Sequence, residues 1–160
     1  MSDPDPPPSN APPSDPPASN PPPSDPLASN PPGQVQLDVE RVICRLDDLH
    51  DSNARGFTIG RGDWPVRGFV VRVRDQVCAY RNRCPHAGHP LNLRPNSFLS
   101  PDGALILCSS HGALFEKSTG YCVAGPCAGG SLRSIPVTLT GGFVMLGDEV
   151  DLGASDDGGR

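Results

Sequence analysis

Two short segments, Cys84-Pro85-His86-Ala87-Gly88-His89 and Cys108-Ser109-Ser110-His111-Gly112, constrain this chain more than any other feature. Each places a thiol and an imidazole on one tight loop, just after strand-like residues, with glycine close behind. In an extended strand, residues i and i+2 point to the same side, so Cys84 and His86 share a face. In Cys108-x-x-His111 the extra residue reverses direction, as turns do. Two such loops facing each other can grip one inorganic centre with two sulfurs and two nitrogens. Gly88 and Gly112 let backbone approach that centre closely, where N–H groups can donate to its sulfur atoms. Two Cys and two His also suit a closed tetrahedral zinc site. Zinc fingers, however, pair like ligands on a hairpin and a helix, whereas here each loop mixes one of each and no helix follows.

From Gln34 the chain reads as short strands and turns. Val35, Leu37 and Val39 alternate with polar residues, the period of a half-buried strand. Residues 69–74 and 77–80, around Asp75-Gln76, predict a hairpin. Leu105-Ile106-Leu107 enters Cys108, and Ala113-Leu114-Phe115 leaves the second loop. Asp47-Asp48, Asp51-Ser52-Asn53, Ser118-Thr119-Gly120 and Gly141-Gly142 are turn material. Ile135, Val137 and Leu139 alternate again, and Phe143 to Leu146 makes a last strand. Asp148-Glu149 and residues 154–160 read as a frayed end. No window carries a helical period beyond two turns. Many short strands between turn signals predict an all-β fold, a small antiparallel sandwich or barrel.

The chain's 160 residues suit one ordinary domain. Its first 33 residues stand apart. They hold 14 of the 21 prolines, four acids and no basic residue, and repeat Asp-Pro and Ser-Asn every ten residues. With almost nothing apolar to bury, this tail is expected to stay disordered, with polyproline II character. It reads as a solvated spacer, or as a docking arm for a proline-binding partner. The organisation predicted is therefore a tail over 1–33, a domain over 34–150 and a flexible end over 151–160. Of the formal charge of −5, most belongs to the tail. The remainder is nearly neutral and has no continuous basic block, which argues against nucleic acid. The start lacks a secretory signal, and no stretch reaches the roughly 18 apolar residues of a membrane span. The reading is a cytoplasmic protein in contact with no membrane. In that compartment the six cysteines are metal ligands or free thiols rather than disulfides.

The pattern Cys-x-His … Cys-x-x-His resembles the Rieske iron–sulfur family. The likeness covers nearly all of residues 35–147. It includes Asn82-Arg83, Pro90-Leu91-Asn92, His111-Gly112-Ala113-Leu114-Phe115, Thr119-Gly120 and Gly125-Pro126, the last matching the family's third loop, which covers the cluster. It implies one Rieske-type [2Fe–2S] cluster, with Cys84 and Cys108 on one iron and His86 and His111 on the other. The 21 residues between His86 and Cys108 exceed what is usual for small Rieske ferredoxins. The excess fits between Leu93 and Gly103, where Pro95, Asn96, Pro101 and Asp102 signal a loop. Respiratory members join an additional cysteine of each loop as a disulfide; His89 and Ser110 stand there, so that bond cannot form. The same branch places a serine and a tyrosine after the second loop, donating to sulfur; Ala113 and Phe115 stand there. The resemblance is thus to the low-potential bacterial ferredoxin branch, with a potential of roughly −150 mV rather than about +300 mV. The imidazoles should lie at the outer end as the electron exit, and proton uptake by them should accompany reduction.

The function implied is a one-electron carrier between a reductase and an oxygenase or related enzyme. An accessory or regulatory subunit of a larger redox enzyme is the alternative, and a structural zinc module a further one. A free-standing catalyst is disfavoured. Oxygenase subunits add an iron site of two histidines and a carboxylate, and only His50 and His89 remain. His89 is read as capping its loop and His50 as exposed in a polar turn. Cys122 and Cys127 are read as free thiols, with Cys127 near the cluster, and Cys44 and Cys78 as small core residues. Trp64, before Pro65, anchors a loop. Arg61, Arg67, Arg72, Arg74, Arg81, Arg83 and Arg94 are either a docking face for an acidic redox partner or solvated strand faces.

Overall fold

The computed structural model describes Met1 and residues 37–51, 53–60 and 65–150. The tail repeat, Val35, Ser52, Arg61, Trp64 and the end from residue 151 lie outside the described residues. The described residues form ten strands: β1 (Val42–Arg45), β2 (Ala54–Ile59), β3 (Val66–Val73), β4 (Gln76–Arg81), β5 (Leu105–Leu107), β6 (Leu114–Glu116), β7 (Cys122–Ala124), β8 (Ser134–Ile135), β9 (Val137–Thr140) and β10 (Phe143–Leu146). They pair antiparallel in three sheets ordered β1-β10-β9, β2-β3-β4-β8 and β5-β6-β7. The only helical turns among the described residues are two three-residue 3-10 turns, Val39–Arg41 and Leu46–Asp48.

The middle sheet has a core on each face. Phe69, Val71 and Tyr80 pack with Leu91, Phe98, Ile106, Phe115 and the loop cysteines. Val66, Val70 and Ala79 pack with Cys44, Leu49, Ile135, Val144 and Leu146. Successive side chains of a strand point to opposite faces. That is why Phe69, Val70 and Val71 are all fully buried, and why their sequence shows an unbroken apolar run instead of alternation.

Several sequence expectations need correction. Leu37 and Val39 belong to no strand, and Val39 is 79% exposed. The Asp38 carboxylate accepts the Glu40 N–H at 3.1 Å and turns the chain before it enters β1. The hairpin turn is Arg74-Asp75, one residue earlier than the pattern suggested, because Val73 pairs with Gln76. Arg74 takes the left-handed conformation there, and its N–H donates to the Asp51 carboxylate. Ile135, Val137 and Leu139 are not one strand. Pro136 lacks the N–H a continuous ladder needs, so β8 joins the middle sheet and β9 the first, leaving Leu139 exposed. Asp148-Glu149 is not frayed. Arg41 donates to the Gly147 and Val150 carbonyls and ties that turn to the body.

The long connection between Leu93 and Gly103 is a packed structure. Phe98 is buried and stacks on Phe69 with ring centroids 4.3 Å apart. Asn96 accepts the Gly56 N–H at 2.8 Å, stapling the loop to β2. Leu99 bridges to Ile106, extending the third sheet.

Candidate metal centre

The first Cys/His loop follows β4, and the second joins β5 to β6. Both close by the same pair of backbone hydrogen bonds. The Cys84 N–H donates to the His89 carbonyl at 2.8 Å, and the Gly88 N–H to the Cys84 carbonyl at 2.8 Å. In the second loop the Cys108 N–H donates to the Ala113 carbonyl at 2.9 Å, and the Gly112 N–H to the Cys108 carbonyl at 2.9 Å. The two loops are thus near copies despite their different Cys–His spacing. The N–H groups of Gly88 and Gly112 close their own loops, so any backbone donation to sulfur comes from their neighbours. The His86 N–H lies close enough to the Cys84 thiol to hold its pKa down against burial.

The loops are fastened to each other. The Ser109 N–H donates to the Leu91 carbonyl at 2.7 Å. The Asn82 side chain accepts the Leu91 N–H at 2.8 Å and donates to Asn92 at 2.8 Å. Leu91 itself is fully buried, so the seam between the loops is anchored in the core.

The four donor side chains sort by depth. Cys84 and Cys108 are buried at 2% and 0% exposure, and their thiols lie within hydrogen-bonding reach of each other. His86 and His111 are exposed, with ring centroids 4.9 Å apart and planes nearly perpendicular. Burial, and then the neighbouring Cys108 thiol, push the Cys84 thiol up, partly offset by the His86 N–H. Among the described residues no three His, Cys, Asp or Glu side chains gather as a single ion would require. The arrangement is two pairs, soft sulfurs inside and imidazoles outside, a donor set that fits a binuclear iron–sulfide group with unlike ends.

Three further features frame the pairs. The His89 ring stacks on His111 with centroids 5.9 Å apart, while its carbonyl closes the first loop as a cap. The third loop, leaving β7, presses on the second. A Cβ at Gly125 would stand 2.7 Å from the Ala113 Cα, and Gly125 has φ +100, so only glycine permits this approach. In that loop Cys127 reaches the Cys84 thiol, and its sulfur lies 3.3 Å from that of Cys122. Burial first, then the Cys122 thiol, push the Cys127 thiol up to about 12. The Cys127 position near the loops was readable from sequence. The His89–His111 stack was not, because nothing in the first loop's spacing says where the second will meet it.

The other sequence candidates separate. Cys44 is a core residue as expected, whereas Cys78 is half-buried at the core's margin. His50 is exposed beside Asp51, Arg72, Arg74 and Asp75 in a cleft of about 360 Å³ at the tip of the β3–β4 hairpin. Arg61 lies outside the described residues, and the arginines on and next to the β3–β4 hairpin do not gather at one end. Arg72 and Arg74 sit at that tip, where Arg72 is spent on the Leu49 and Arg74 carbonyls. Arg81 and Arg83 sit at the opposite end, roughly 20 Å away at about 3.3 Å per strand residue, with Arg67 beside Arg81 in register with Gly68.

The sequence model of the family described as "Rieske [2Fe-2S] domain" matches residues 40–137, more than half of the chain. A solved complex of reduced oxygenase and oxidized ferredoxin in carbazole 1,9a-dioxygenase contains a similar chain, at 25% identity and TM-score 0.52, with 66% of this chain and 99% of that one covered. The ferredoxin of carbazole 1,9a-dioxygenase from Nocardioides aromaticivorans IC177 is 29% identical at TM-score 0.51, over 66% of this chain and 93% of that one. The terminal oxygenase of the same system shares the fold at 21% identity and TM-score 0.51, over 69% of this chain and 30% of that one. Comparison with curated proteins finds no match. No helix among the described residues is long and apolar enough to cross a membrane.

Proposed function

This chain belongs to the Rieske [2Fe-2S] domain family and so carries one Rieske-type [2Fe–2S] cluster, and from that premise we propose that Cys84 and Cys108 hold one iron, that His86 and His111 hold the other, and that the chain delivers single electrons to an oxygenase. The coarser reading, a Rieske ferredoxin-like electron carrier, rests on the family and on the ferredoxin likeness. The observation that carries the finer one is the depth sorting, with both sulfurs buried and both imidazoles exposed.

When bound, the cluster supplies reversible one-electron redox chemistry. The chain's own residues do the rest. Cys84 and Cys108 would hold iron as thiolates, against the burial that pushes the Cys84 thiol up in the free chain. The His86 N–H would lie beside the Cys84 sulfur and stabilise its thiolate. Ala113 and Phe115, both fully buried, exclude water there without offering a hydroxyl. His86 and His111 present their rings to solvent, where a partner can dock against them. Cys44, Cys78, Cys122 and Cys127 are all free thiols, which suits a cytoplasmic setting.

The oxygenase supported is one of the kind that the similar ferredoxins serve. A reductase as donor and a docking role for the proline-rich tail complete the proposal. The test is reconstitution. Holoprotein reduced anaerobically should take up one electron per chain, and should support turnover when added to a ferredoxin-dependent reductase and a Rieske oxygenase. Holoprotein that is never reoxidised by any oxygenase, while co-purifying in a stable complex from its native source, would favour an accessory subunit instead.

A further inference from the structure

The third loop holds a feature that electron carriage does not use. The sulfurs of Cys122 and Cys127 lie 3.3 Å apart without a bond. Three backbone hydrogen bonds fix the two residues, and a fourth closes the turn around Cys127. The Cys122 N–H donates to the Gly130 carbonyl at 2.8 Å, and the Gly129 N–H to the Cys122 carbonyl at 3.2 Å. The Gly130 N–H donates to the Cys127 carbonyl at 2.9 Å, and the Ala128 N–H to the Gly125 carbonyl at 3.2 Å. A disulfide has S–S of about 2.05 Å, so closure asks about 1.3 Å of sulfur movement from a loop already shaped for it. Cys127 has a second neighbour. It packs against the buried cluster that holds Cys84 and Cys108, close enough for its thiol and that of Cys84 to act on each other.

We propose that Cys122 and Cys127 form a two-electron thiol–disulfide site, and that its closure, which removes the S–H that Cys127 holds beside Cys84, lowers the potential of the one-electron centre. The second half rests on the assignment of Cys84 as a cluster ligand. The oxidant is a small-molecule disulfide such as glutathione disulfide. The two thiols lose two electrons and two protons. The Cys122–Cys127 bond forms, the oxidant's S–S bond breaks, and its two thiols carry the protons away. A hydrogen bond to a ligand sulfur favours the more negative, reduced state, and its removal favours the oxidised one. The third loop would then couple the thiol poise of the cell to how readily this chain accepts an electron.

The test uses holoprotein equilibrated in glutathione/glutathione disulfide mixtures of graded ratio. Thiols are then alkylated and mapped by mass spectrometry, and iron and sulfide are measured on the same samples. The expected result is a Cys122–Cys127 disulfide that appears cooperatively as the mixture becomes oxidising, with iron content unchanged. In the oxidised sample the reduced-to-oxidised ratio of the cluster at a fixed applied potential falls severalfold. Cys127→Ser abolishes both responses. Full alkylation of Cys122 and Cys127 even in pure glutathione disulfide overturns the proposal. So does a disulfide that forms without any change in potential. Because the thiol map is read without the cluster, a sample lacking iron would count against the ligand assignment and leave the thiol pair separately measured.

Discussion

Gly125→Ala tests how the third loop is seated. Its Cβ would stand 2.7 Å from the Ala113 Cα and 3.2 Å from the Ala113 nitrogen, both backbone atoms that cannot swing aside. Alanine at φ +100 adds a conformational cost of about 1–3 kcal/mol, and overpacking adds about 1–3 kcal/mol. Gly129→Ala in the same loop is the control. Gly129 also has positive φ, +89, but nothing lies within 4 Å of its Cβ position. The two variants therefore share the conformational cost and differ by the contact, about 2 kcal/mol, or roughly 30-fold in the population of an opened third loop. The assay is bleaching of the cluster's visible absorbance after adding a ferrous-iron chelator. Gly125→Ala should lose its cluster roughly 30-fold faster than Gly129→Ala. Equal rates in the two variants would refute the seating of Gly125 on Ala113 as what closes this side of the loops.

Phe98→Ala removes a fully buried ring stacked on Phe69 and should destabilise by about 3–5 kcal/mol, read as a shifted urea midpoint; a shift under 1 kcal/mol would mean that the long loop is not part of the core. Ala113→Ser introduces a hydroxyl where the high-potential relatives have one. A neutral hydrogen bond of about 1 kcal/mol predicts a rise of about 40 mV at 59 mV per tenfold, measured by electrochemical titration, and an unchanged potential would remove the hydroxyl argument for the low value. Burial pushes the Cys44 thiol above its ordinary value of 9.0. Its protonated form is favoured in the fold, so this contribution is complete below pH 9 and is lost as pH climbs toward the raised value. Wild type should therefore lose stability above pH 9 more steeply than Cys44→Ala in matched denaturation series.

The site was far more readable in the sequence than the strand order was. Cys84, His86, Cys108 and His111 are chemically rare in combination, and each loop carries its own turn residues, so the pairs could be named before any fold existed. The β3–β4 hairpin was visible through its apolar run, yet the turn fell one residue away, because Arg74 accepts a left-handed backbone that its residue type does not advertise. Leu37 and Val39 alternate like a strand, but Asp38 turns the chain locally. Local hydrogen bonding overrode the pattern there. Ile135, Val137 and Leu139 misled for a different reason. Alternation says which side chains share a side, not which sheet they join, and Pro136 divides them between two. Phe98 was invisible because a single aromatic in a loop carries no period. Its burial depends on Phe69, 29 positions earlier in the chain.

The ligand set is tested most directly by the EPR spectrum of the dithionite-reduced holoprotein, taken with its iron and sulfide content. Ligation by Cys84, Cys108, His86 and His111 predicts two irons and two sulfides per chain, and a rhombic signal with the low average g of histidine-ligated clusters. A higher average g would mean that cysteines alone hold the iron, and His86 and His111 would lose their place. Bound zinc with no signal at all would contradict the electron-carrier account itself.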